Sequence, residues 1–255
     1  MKTTMTTTTS SLSTVANLSH ALSTSTAFVK VCGMRSEENI HALMQCTHRP
    51  HALGFIFYER SPRYAGTLRD DYMRTLATHI PTIGVFVHAT EEEILENVQR
   101  FHLHAVQLHG EETPMFCYRL KQHLIALTHH HNYTYTSPPQ LWKAIHIREH
   151  TDIMMVAEFD SVIDCALLDT RGKEYGGNGV RFDWSILDSY PSRTIPFLLS
   201  GGIRLEHSSE VHNALLRYRP LLRGVDINSC FEIAPAVKDI TRISTFVRHL
   251  SKRVS

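Results

Sequence analysis

From residue 28 onward the chain alternates between short apolar runs and longer amphipathic stretches. Most of the apolar runs are rich in β-branched or aromatic residues. They are too continuous for strands with one face in water, so they predict parallel strands covered by helices. The runs are Phe28–Cys32, Ala52–Phe57, Thr82–Val87, His104–Leu108, Leu141–Ile145, Cys165–Asp169, Pro196–Leu199 and Gly224–Ile227.

The amphipathic stretches begin with residues that favour the first turn of a helix. Ser36 precedes two glutamates, Thr90 forms a capping box with Glu93, and Thr113 precedes a proline at a first helical position. Eight strands that alternate with helices in about 220 residues predict a closed (β/α)8 TIM barrel rather than a doubly wound sheet. We expect this barrel to form one catalytic domain over residues 27–255.

Residues 1–26 differ in composition from the rest of the chain. Serine and threonine dominate, there is one lysine and no acidic residue, and apolar periodicity is absent. The segment lacks the continuous apolar core of a secretory signal and the arginines of a transit peptide. We therefore predict a low-complexity, disordered and dispensable tail.

Composition excludes several classes of partner. Lys and Arg total 26 against 25 Asp and Glu, a formal charge of +1, so nucleic acid and acidic membranes are not expected partners. No apolar run approaches the roughly 18 residues that cross a bilayer. The five cysteines lack CxxC spacing, which favours free thiols in a reducing compartment, and we predict a cytoplasmic protein. Neither a GxGxxG nor a P-loop sequence is present, which argues against a nucleotide cofactor.

In a barrel of this kind the active site lies at the carboxyl ends of the strands. Two strand ends suit phosphate, because Gly201 and Gly202 expose backbone N–H groups before a helix, and Asn228 and Ser229 follow the neighbouring run. Loops seven and eight of such barrels commonly hold phosphate. The glycine pair taken alone fits an ordinary strand-to-helix turn equally well.

Three further strand-end residues suit chemistry on a charged substrate. A thiolate at Cys32 can abstract a proton or act as a nucleophile. A sheltered carboxyl group at Asp169 would have a raised pKa and donate a proton near neutrality. Arg63, behind a proline, suits bidentate binding of a carboxylate. The alternatives are a small buried cysteine, a structural aspartate and a solvated surface charge.

The ordered series of strand-end motifs resembles the phosphoribosylanthranilate isomerase family over nearly all of residues 28–250. The matching segments are Lys30-Val31-Cys32-Gly33, Gly54-Phe55-Ile56-Phe57 with Ser61-Pro62-Arg63, Gly84-Val85-Phe86-Val87, Val106-Gln107-Leu108-His109-Gly110-Glu111, Leu168-Asp169-Thr170, Gly176-Gly177-Asn178-Gly179 with Phe182-Asp183-Trp184, Leu199-Ser200-Gly201-Gly202-Ile203, Gly224-Val225-Asp226-Ile227-Asn228-Ser229 and Lys238-Asp239. Each motif is weak, but the complete series in family order is specific.

The resemblance implies an Amadori rearrangement of N-(5-phosphoribosyl)anthranilate to 1-(2-carboxyphenylamino)-1-deoxyribulose 5-phosphate, the third step of tryptophan biosynthesis from chorismate. It implies Asp169 as the general acid at the ring oxygen and Cys32 as the general base at C2. Arg63 would hold the anthranilate carboxylate, and the phosphate would be bound by Gly201, Gly202, Asn228 and Ser229. No metal or other cofactor is implied, the partner is the small-molecule substrate, and a monomer or a homodimer is expected.

Some positions depart from the family pattern. Cys230 and Ala236 stand where glycine is usual, and each adds a side chain where the backbone can require a positive φ. Asn178 replaces a frequent threonine in the loop of residues 172–179, which we expect to be mobile and to close over the substrate. The run of histidines at residues 129–131 is interpreted as a solvated loop rather than a metal site.

Other functions predict different residues. An aminoaldose isomerase would use a pair of aspartates, and an indole-glycerol-phosphate synthase would need lysine and glutamate at strand ends, whereas Lys30 and Lys143 lie inside predicted strands. A hydrolase with Cys32 as nucleophile would need His109 beside the thiol. A non-catalytic phosphate-binding barrel predicts that Cys32 and Asp169 can be replaced without consequence.

Overall fold

In the computed structural model of the protein, residues 17–23, 27–129, 137–170 and 183–251 are described. Within these ranges eight parallel strands close into a barrel, in which each strand pairs with the next and the last pairs with the first. The predicted (β/α)8 barrel is confirmed, since every strand overlaps the run predicted for it. The strands are β1 (Phe28–Val31), β2 (Ala52–Ile56), β3 (Thr82–Phe86), β4 (Ala105–Leu108), β5 (Gln140–Ile147), β6 (Cys165–Thr170), β7 (Phe197–Ser200) and β8 (Leu222–Ile227).

The predicted helix starts are also confirmed. Ser36 accepts a hydrogen bond from the backbone N–H of Asn39, Thr90 and Glu93 form the capping box, and Thr113 caps the helix that begins with proline. The α-helices of the described residues are α1 (Leu18–Ser23), α2 (Glu37–Met44), α3 (Asp70–Ala77), α4 (Glu91–Phe101), α5 (Pro114–Ala126), α6 (Ser208–Arg217) and α7 (Ile240–Leu250). After β5 and after the loop that follows β6, the chain forms 3-10 helices instead, over His150–Phe159 and Trp184–Ser189.

Side chains at every second strand position point into the barrel. At the amino ends of the strands these positions form one apolar cluster, while the alternate positions, such as Val29 and Val31, pack outward against the helices. The amino end of the barrel interior is therefore filled with apolar side chains, and we call this end the dry floor. The strand residues of this floor cluster are Phe28, Ala52, Ile83, Ala105, Trp142, Ala144, Cys165, Leu167 and Leu198.

Helix α1 covers the floor of the barrel. Leu18 and Leu22 are buried in the floor cluster, and Ser19 Oγ accepts a hydrogen bond of 3.0 Å from Gln140 Nε2. The prediction of a disordered tail over residues 1–26 is therefore wrong for residues 17–23. Two leucines four residues apart make one apolar stripe on a helix, and that stripe is too short to show as periodicity. Residues 1–16 and 24–26 lie outside the described residues.

The connection between β8 and α7 contains a small hairpin. A 3-10 helix over Ser229–Phe231 leads into β9 (Glu232–Ala234), which pairs antiparallel with β10 (Val237–Lys238). This hairpin lies at the carboxyl end of β8 and brings two charged side chains to the mouth of the barrel. No helix within the described ranges is long and apolar enough to span a membrane.

Candidate active site

The inward strand positions that form the dry floor become polar toward the carboxyl ends. Two residues beyond the floor residue Phe28 is Lys30, and Cys32 follows after two more. The same step of two along β6 leads from Leu167 to Asp169. Because all eight strands are parallel, these side chains gather in the same end of the barrel interior. The structure thus places the predicted acid, Asp169, and the predicted base, Cys32, at the same end of the barrel.

Cys32 is 4% exposed and lies beside a buried ion pair. Lys30 Nζ donates a hydrogen bond of 2.9 Å to Asp226 Oδ2, and both side chains are almost completely buried. Burial raises the pKa of the Cys32 thiol, although the nearby Lys30 ammonium acts in the opposite direction. At neutral pH the resting group is therefore the thiol, with a cation next to it that stabilises a thiolate when one forms.

Gly54 on β2 provides the space for this arrangement. A Cβ at Gly54 would lie 3.0 Å from Cys32 Sγ and from Lys30 Nζ. A larger residue would push apart the thiol and the ammonium. The glycine of the Gly54-Phe55-Ile56-Phe57 motif is thus explained by close approach to the site.

Asp169 lies between two histidines from neighbouring strands. Its Oδ2 is 3.5 Å from His109 Nε2 and 3.7 Å from His146 Nδ1. Burial favours the neutral carboxyl group, but the interactions with the nearby His109 and His146 outweigh it, and the pKa of Asp169 is lowered. The predicted raised pKa is wrong, because the apolar run before Asp169 gave no sign of two histidines from other strands.

Asp226 connects the two halves of the site. Its charge interacts with Lys30 and Cys32 on one side and with Asp169 and His109 on the other. Burial raises the pKa of Asp226, and the Lys30 ammonium opposes that effect. The thiol and the carboxyl group of Asp169 therefore belong to one electrostatically coupled cluster in the barrel interior.

Arg63 is held at the rim by the hairpin after β8. Its Nε and Nη2 donate hydrogen bonds of 2.9 and 2.7 Å to the two carboxylate oxygens of Glu232. Glu232 Oε1 also accepts a hydrogen bond of 2.7 Å from Lys238 Nζ. Arg63 is thus not the solvated surface charge of the alternative interpretation. Glu232 occupies one edge of its guanidinium, and the other N–H groups remain for a ligand.

Gly33 allows the Arg63 side chain to lie close to Cys32. Its φ is 76°, and a Cβ there would lie 2.7 Å from Arg63 Cδ and 2.8 Å from Asn228 Oδ1. Asn228 Oδ1 in turn accepts a hydrogen bond of 2.7 Å from Lys238 Nζ. The oxygen of the Asn228 side chain is therefore engaged within the protein, which leaves its amide N–H groups and the backbone of this loop to meet a substrate.

The two predicted phosphate loops lie side by side on neighbouring strands. Gly201 and Gly202 have φ values of 79° and 62°, and a Cβ at Gly201 would lie 2.7 Å from the backbone nitrogen of Thr170. The predicted helix does not follow them directly, because a 3-10 turn at Leu205–His207 precedes α6. The short helix that opens at Ser229 supplies first-turn N–H groups instead.

The two departures from glycine differ in their consequences. Cys230 does not have a positive φ, so its side chain causes no backbone strain, whereas Ala236 has a φ of 65°. An L-residue in this region costs about 1–2 kcal/mol. The usual glycine is therefore explained at position 236 and not at position 230. The loop of residues 172–179, including Asn178, lies outside the described residues, as does the histidine run after residue 129.

Comparison with known proteins decides the family. The profile of N-(5'phosphoribosyl)anthranilate (PRA) isomerase matches residues 29–249. The chain belongs to the PRA isomerase family. The PRA isomerase of Parabacteroides distasonis is 38% identical to this chain over 224 residues, which are 87% of this chain and 92% of that protein. The predicted resemblance is confirmed, and isomerisation in tryptophan biosynthesis is the activity of this family.

Solved PRA isomerase structures share the fold. The crystal structure of the Thermotoga maritima PRA isomerase has a TM-score of 0.70 and 29% identity, covering 88% of this chain and 98% of that one. A PRA isomerase in complex with reduced 1-(o-carboxyphenylamino)-1-deoxyribulose 5-phosphate has a TM-score of 0.67 and 27% identity, covering 88% and 98%. Both similarities span the whole barrel, and so they include all the strand ends described above.

Several residues of the site were not predicted. His146 lies one residue beyond the predicted end of the fifth strand, and Glu232 and Lys238 lie on a hairpin that has no apolar run of its own. Alternation along β5 is the signal that finds His146, since it lies two residues after the inward-facing Ala144. The lysines considered for a synthase are buried and paired, Lys30 with Asp226 and Lys143 with Glu112 at 3.2 Å.

Proposed function

We propose that this member of the PRA isomerase family rearranges N-(5'-phosphoribosyl)anthranilate with Cys32 as general base and Asp169 as general acid. The observation that carries the proposal is their placement on inward positions at the same end of the barrel, coupled through Asp226. A proton from Asp169 to the ring oxygen opens the furanose and leaves a Schiff base at C1. That cation acidifies C2–H, and the Cys32 thiolate removes the proton to form the enolamine, which becomes the ketone when C1 is protonated and the C2 hydroxyl loses its proton.

The resting protonation states place one proton on the pair. In the resting protein Cys32 is favoured as the thiol and Asp169 as the carboxylate. The reaction, however, begins from a thiolate at Cys32 and a carboxylic acid at Asp169. One proton therefore has to move to Asp169 in the substrate complex. His109 and His146 contact the Asp169 carboxylate and are the neighbouring groups that can carry it, while Lys30 stabilises the thiolate.

The substrate is anchored at both ends. Arg63 offers the edge of its guanidinium that Glu232 leaves open to the anthranilate carboxylate. Gly201, Gly202, Ser229 and the amide of Asn228 hold the phosphate through N–H donors, with Ser229 at the start of a short helix. Anchoring both ends places the sugar carbons between acid and base, which is a large part of what such an enzyme needs.

The test is the loss of substrate fluorescence in a coupled assay. Phosphoribosylanthranilate is generated in place by a separate anthranilate phosphoribosyltransferase, and purified wild type, Cys32→Ala and Asp169→Asn are compared. We expect each variant to lose at least a factor of about 10² to 10⁴ in rate, the range of general acid–base catalysis. Cys46→Ala is the matched control, because Cys46 lies on the outer surface after α2. A folded wild type that gives no acceleration would refute the proposal.

The remaining expectations stay predictions. These are the absence of a metal or other cofactor in the reaction, a cytoplasmic location, a monomer or homodimer, and the dispensability of residues 1–16. The loop of residues 172–179 is proposed to close over the substrate, and protease protection at Lys173 by bound substrate tests that closure.

A further inference from the structure

The cluster of His109, His146 and Asp169 has a second chemical capacity besides proton transfer. Each residue offers one metal-ligating atom, and the three atoms lie within 4.8 Å of one another. His146 and Asp169 lie directly opposite each other on β5 and β6, and His109 directly follows the neighbouring strand β4. The paired strands fix the backbone positions of His146 and Asp169, and a backbone hydrogen bond of 2.8 Å to Phe86 on β3 holds that of His109.

The hydrogen bonds of His146 show which of its nitrogens is free. His146 Nε2 lies 3.4 Å from the carbonyl oxygen of His109 and donates to it. In the neutral imidazole Nδ1 then has a lone pair, and this atom is buried without a hydrogen-bond partner. It points at Asp169 Oδ2 across 3.7 Å. A nitrogen lone pair and a carboxylate oxygen repel each other at that distance unless a proton or a metal cation lies between them.

His109 can complete the same arrangement. Its Nδ1 lies 3.3 Å from the side-chain amide of Gln107, whose Oε1 is buried without a partner. Rotation of that amide by half a turn lets Oε1 accept the Nδ1–H of His109, which frees the lone pair on Nε2 toward Asp169. Metal-ligating histidines commonly donate their second N–H to such an oxygen, which fixes the tautomer and orients the ring.

We propose that His109, His146 and Asp169 bind a divalent transition-metal cation of the Zn²⁺ class, and that the bound cation inhibits the enzyme. Donors of a tetrahedral zinc site lie about 3.3 Å apart at bond lengths of about 2.0–2.1 Å. The separations of 3.5 and 3.7 Å to Asp169 Oδ2 need only small side-chain movements to reach that value. Two imidazoles with one carboxylate favour zinc, cobalt or copper over magnesium and calcium.

The setting favours a bound cation that solvent can reach. The side chains of His109, His146 and Asp169 are 26, 13 and 17% exposed, so the cluster opens to the mouth and leaves a coordination position for water. The charge of Asp226 lies within interaction range of Asp169 and His109, and it adds negative potential that Lys30 partly neutralises. A metal ion bound to Asp169 holds it as the carboxylate and so removes the proposed general acid. The inhibition rests on the function proposed above, whereas the binding does not.

The test is direct binding of Co²⁺ and Zn²⁺ to chelator-treated full-length protein. Co²⁺ in a four- or five-coordinate site gives a visible absorption band, and calorimetry with Zn²⁺ gives the stoichiometry. We expect one equivalent to bind to the wild type, and His146→Ser to weaken its affinity by at least about 100-fold, as loss of a direct ligand exceeds the 10–100-fold typical of outer-shell partners. Asp169→Asn serves as a second ligand variant if His146→Ser does not fold.

Two controls exclude other sites. Replacement of the histidines at 129–131 by serine removes the densest histidine run of the sequence, and Cys32→Ala removes a thiol that lies at the same end of the barrel as the cluster. We expect both variants to keep the one-equivalent binding. Binding that survives in His146→Ser and Asp169→Asn, or that disappears in either control, overturns the proposal.

Inhibition is measured separately. We expect Zn²⁺ to abolish turnover of phosphoribosylanthranilate by the wild type, a chelator to restore it, and the Zn²⁺ concentration for half inhibition to rise at least about tenfold in His146→Ser. A wild type that binds one Zn²⁺ but turns over no phosphoribosylanthranilate would refute the proposed function and leave the metal site standing. Full activity with the site occupied would refute the inhibition.

Discussion

Burial and the Lys30 ammonium act in opposite directions on the Cys32 thiol. Burial disfavours its thiolate and the Lys30 ammonium favours it, with burial the larger effect, so the pKa of Cys32 is raised. Since only the thiolate is alkylated, the reaction of Cys32 with iodoacetamide should be slow at neutral pH and rise about tenfold per pH unit, continuing beyond the range of an ordinary thiol. Peptide mapping by mass spectrometry follows it, with Cys46 in the same molecule as the half-exposed reference. Faster alkylation of Cys32 than of Cys46 at pH 7 would mean that Lys30 outweighs burial.

The location of a candidate residue was predictable where it depends on the strand end alone. Cys32, Asp169 and Arg63 were found because each follows an apolar run, and that local signal places them at the mouth of a barrel. Their electrostatic states were not predictable. The lowered pKa of Asp169 depends on His109 and His146, which are 60 and 23 residues earlier in the chain and become neighbours only when the strands pair. Partners that are so far apart in sequence can be recognised only once the pairing of the strands is known.

At the scale of elements, the hairpin of β9 and β10 has a role that its length does not suggest. Its Glu232 bridges Arg63 and Lys238, with side-chain exposures of 17% for Arg63, 5% for Glu232 and none for Lys238. Glu232→Gln should lower the free energy of unfolding by about 3 kcal/mol, because it leaves two cations together in a buried place. Urea unfolding measures this, with Glu206→Gln as control, since Glu206 pairs with Arg242 on the exposed surface. Equal losses in both variants would contradict the proposed role.

The pKa of Glu232 fixes how the stability difference between wild type and Glu232→Gln changes with pH. Burial would raise the pKa of Glu232, but hydrogen bonds and charges from Arg63 and Lys238 outweigh it, so the pKa in the folded protein is lowered. A lowered pKa contributes stability above the unfolded-state pKa and loses it as the pH falls through the folded value. The stability difference between wild type and Glu232→Gln should therefore be full at neutral pH and shrink in acid.

Elements were predictable to the extent that their signals are local. Strands with continuous apolar runs and helices with Thr90 or Thr113 at their caps were located correctly, because caps and apolar runs act within a few residues. The hairpin carries no such signal, since its strands have three and two residues and one of them begins with Glu232. It is held by the ion pair of Glu232 with Arg63 and by hydrogen bonds between Lys238 and Asn39, both partners being far away in sequence.

At the scale of the whole molecule, the barrel is divided along its axis. Inward positions at the amino ends are apolar and packed, and those at the carboxyl ends carry Lys30, Cys32, Asp169 and Asp226. The dry floor supplies the stability that a cluster of buried charges does not. Helix α1, which lies outside the predicted domain, covers the apolar end of the barrel opposite to the site. It therefore contributes to the stability of the barrel and not to the site.

That arrangement makes the stability of the barrel depend on a segment that sequence composition marks as dispensable. Leu18 and Leu22 are 4% and 8% exposed in the floor cluster. A chain that begins at residue 17 should therefore be as stable as the full chain, whereas one that begins at residue 27 should be less stable.

The double substitution Leu18→Ala and Leu22→Ala tests the same contact without shortening the chain. The two substitutions should lower the free energy of unfolding by about 2–3 kcal/mol, less than two full core truncations, because a six-residue helix can detach instead of leaving cavities. Urea denaturation of the four chains measures it, with rates of PRA isomerisation as a second readout. Equal stability of the chains that begin at residues 17 and 27 would show that the floor is closed without α1.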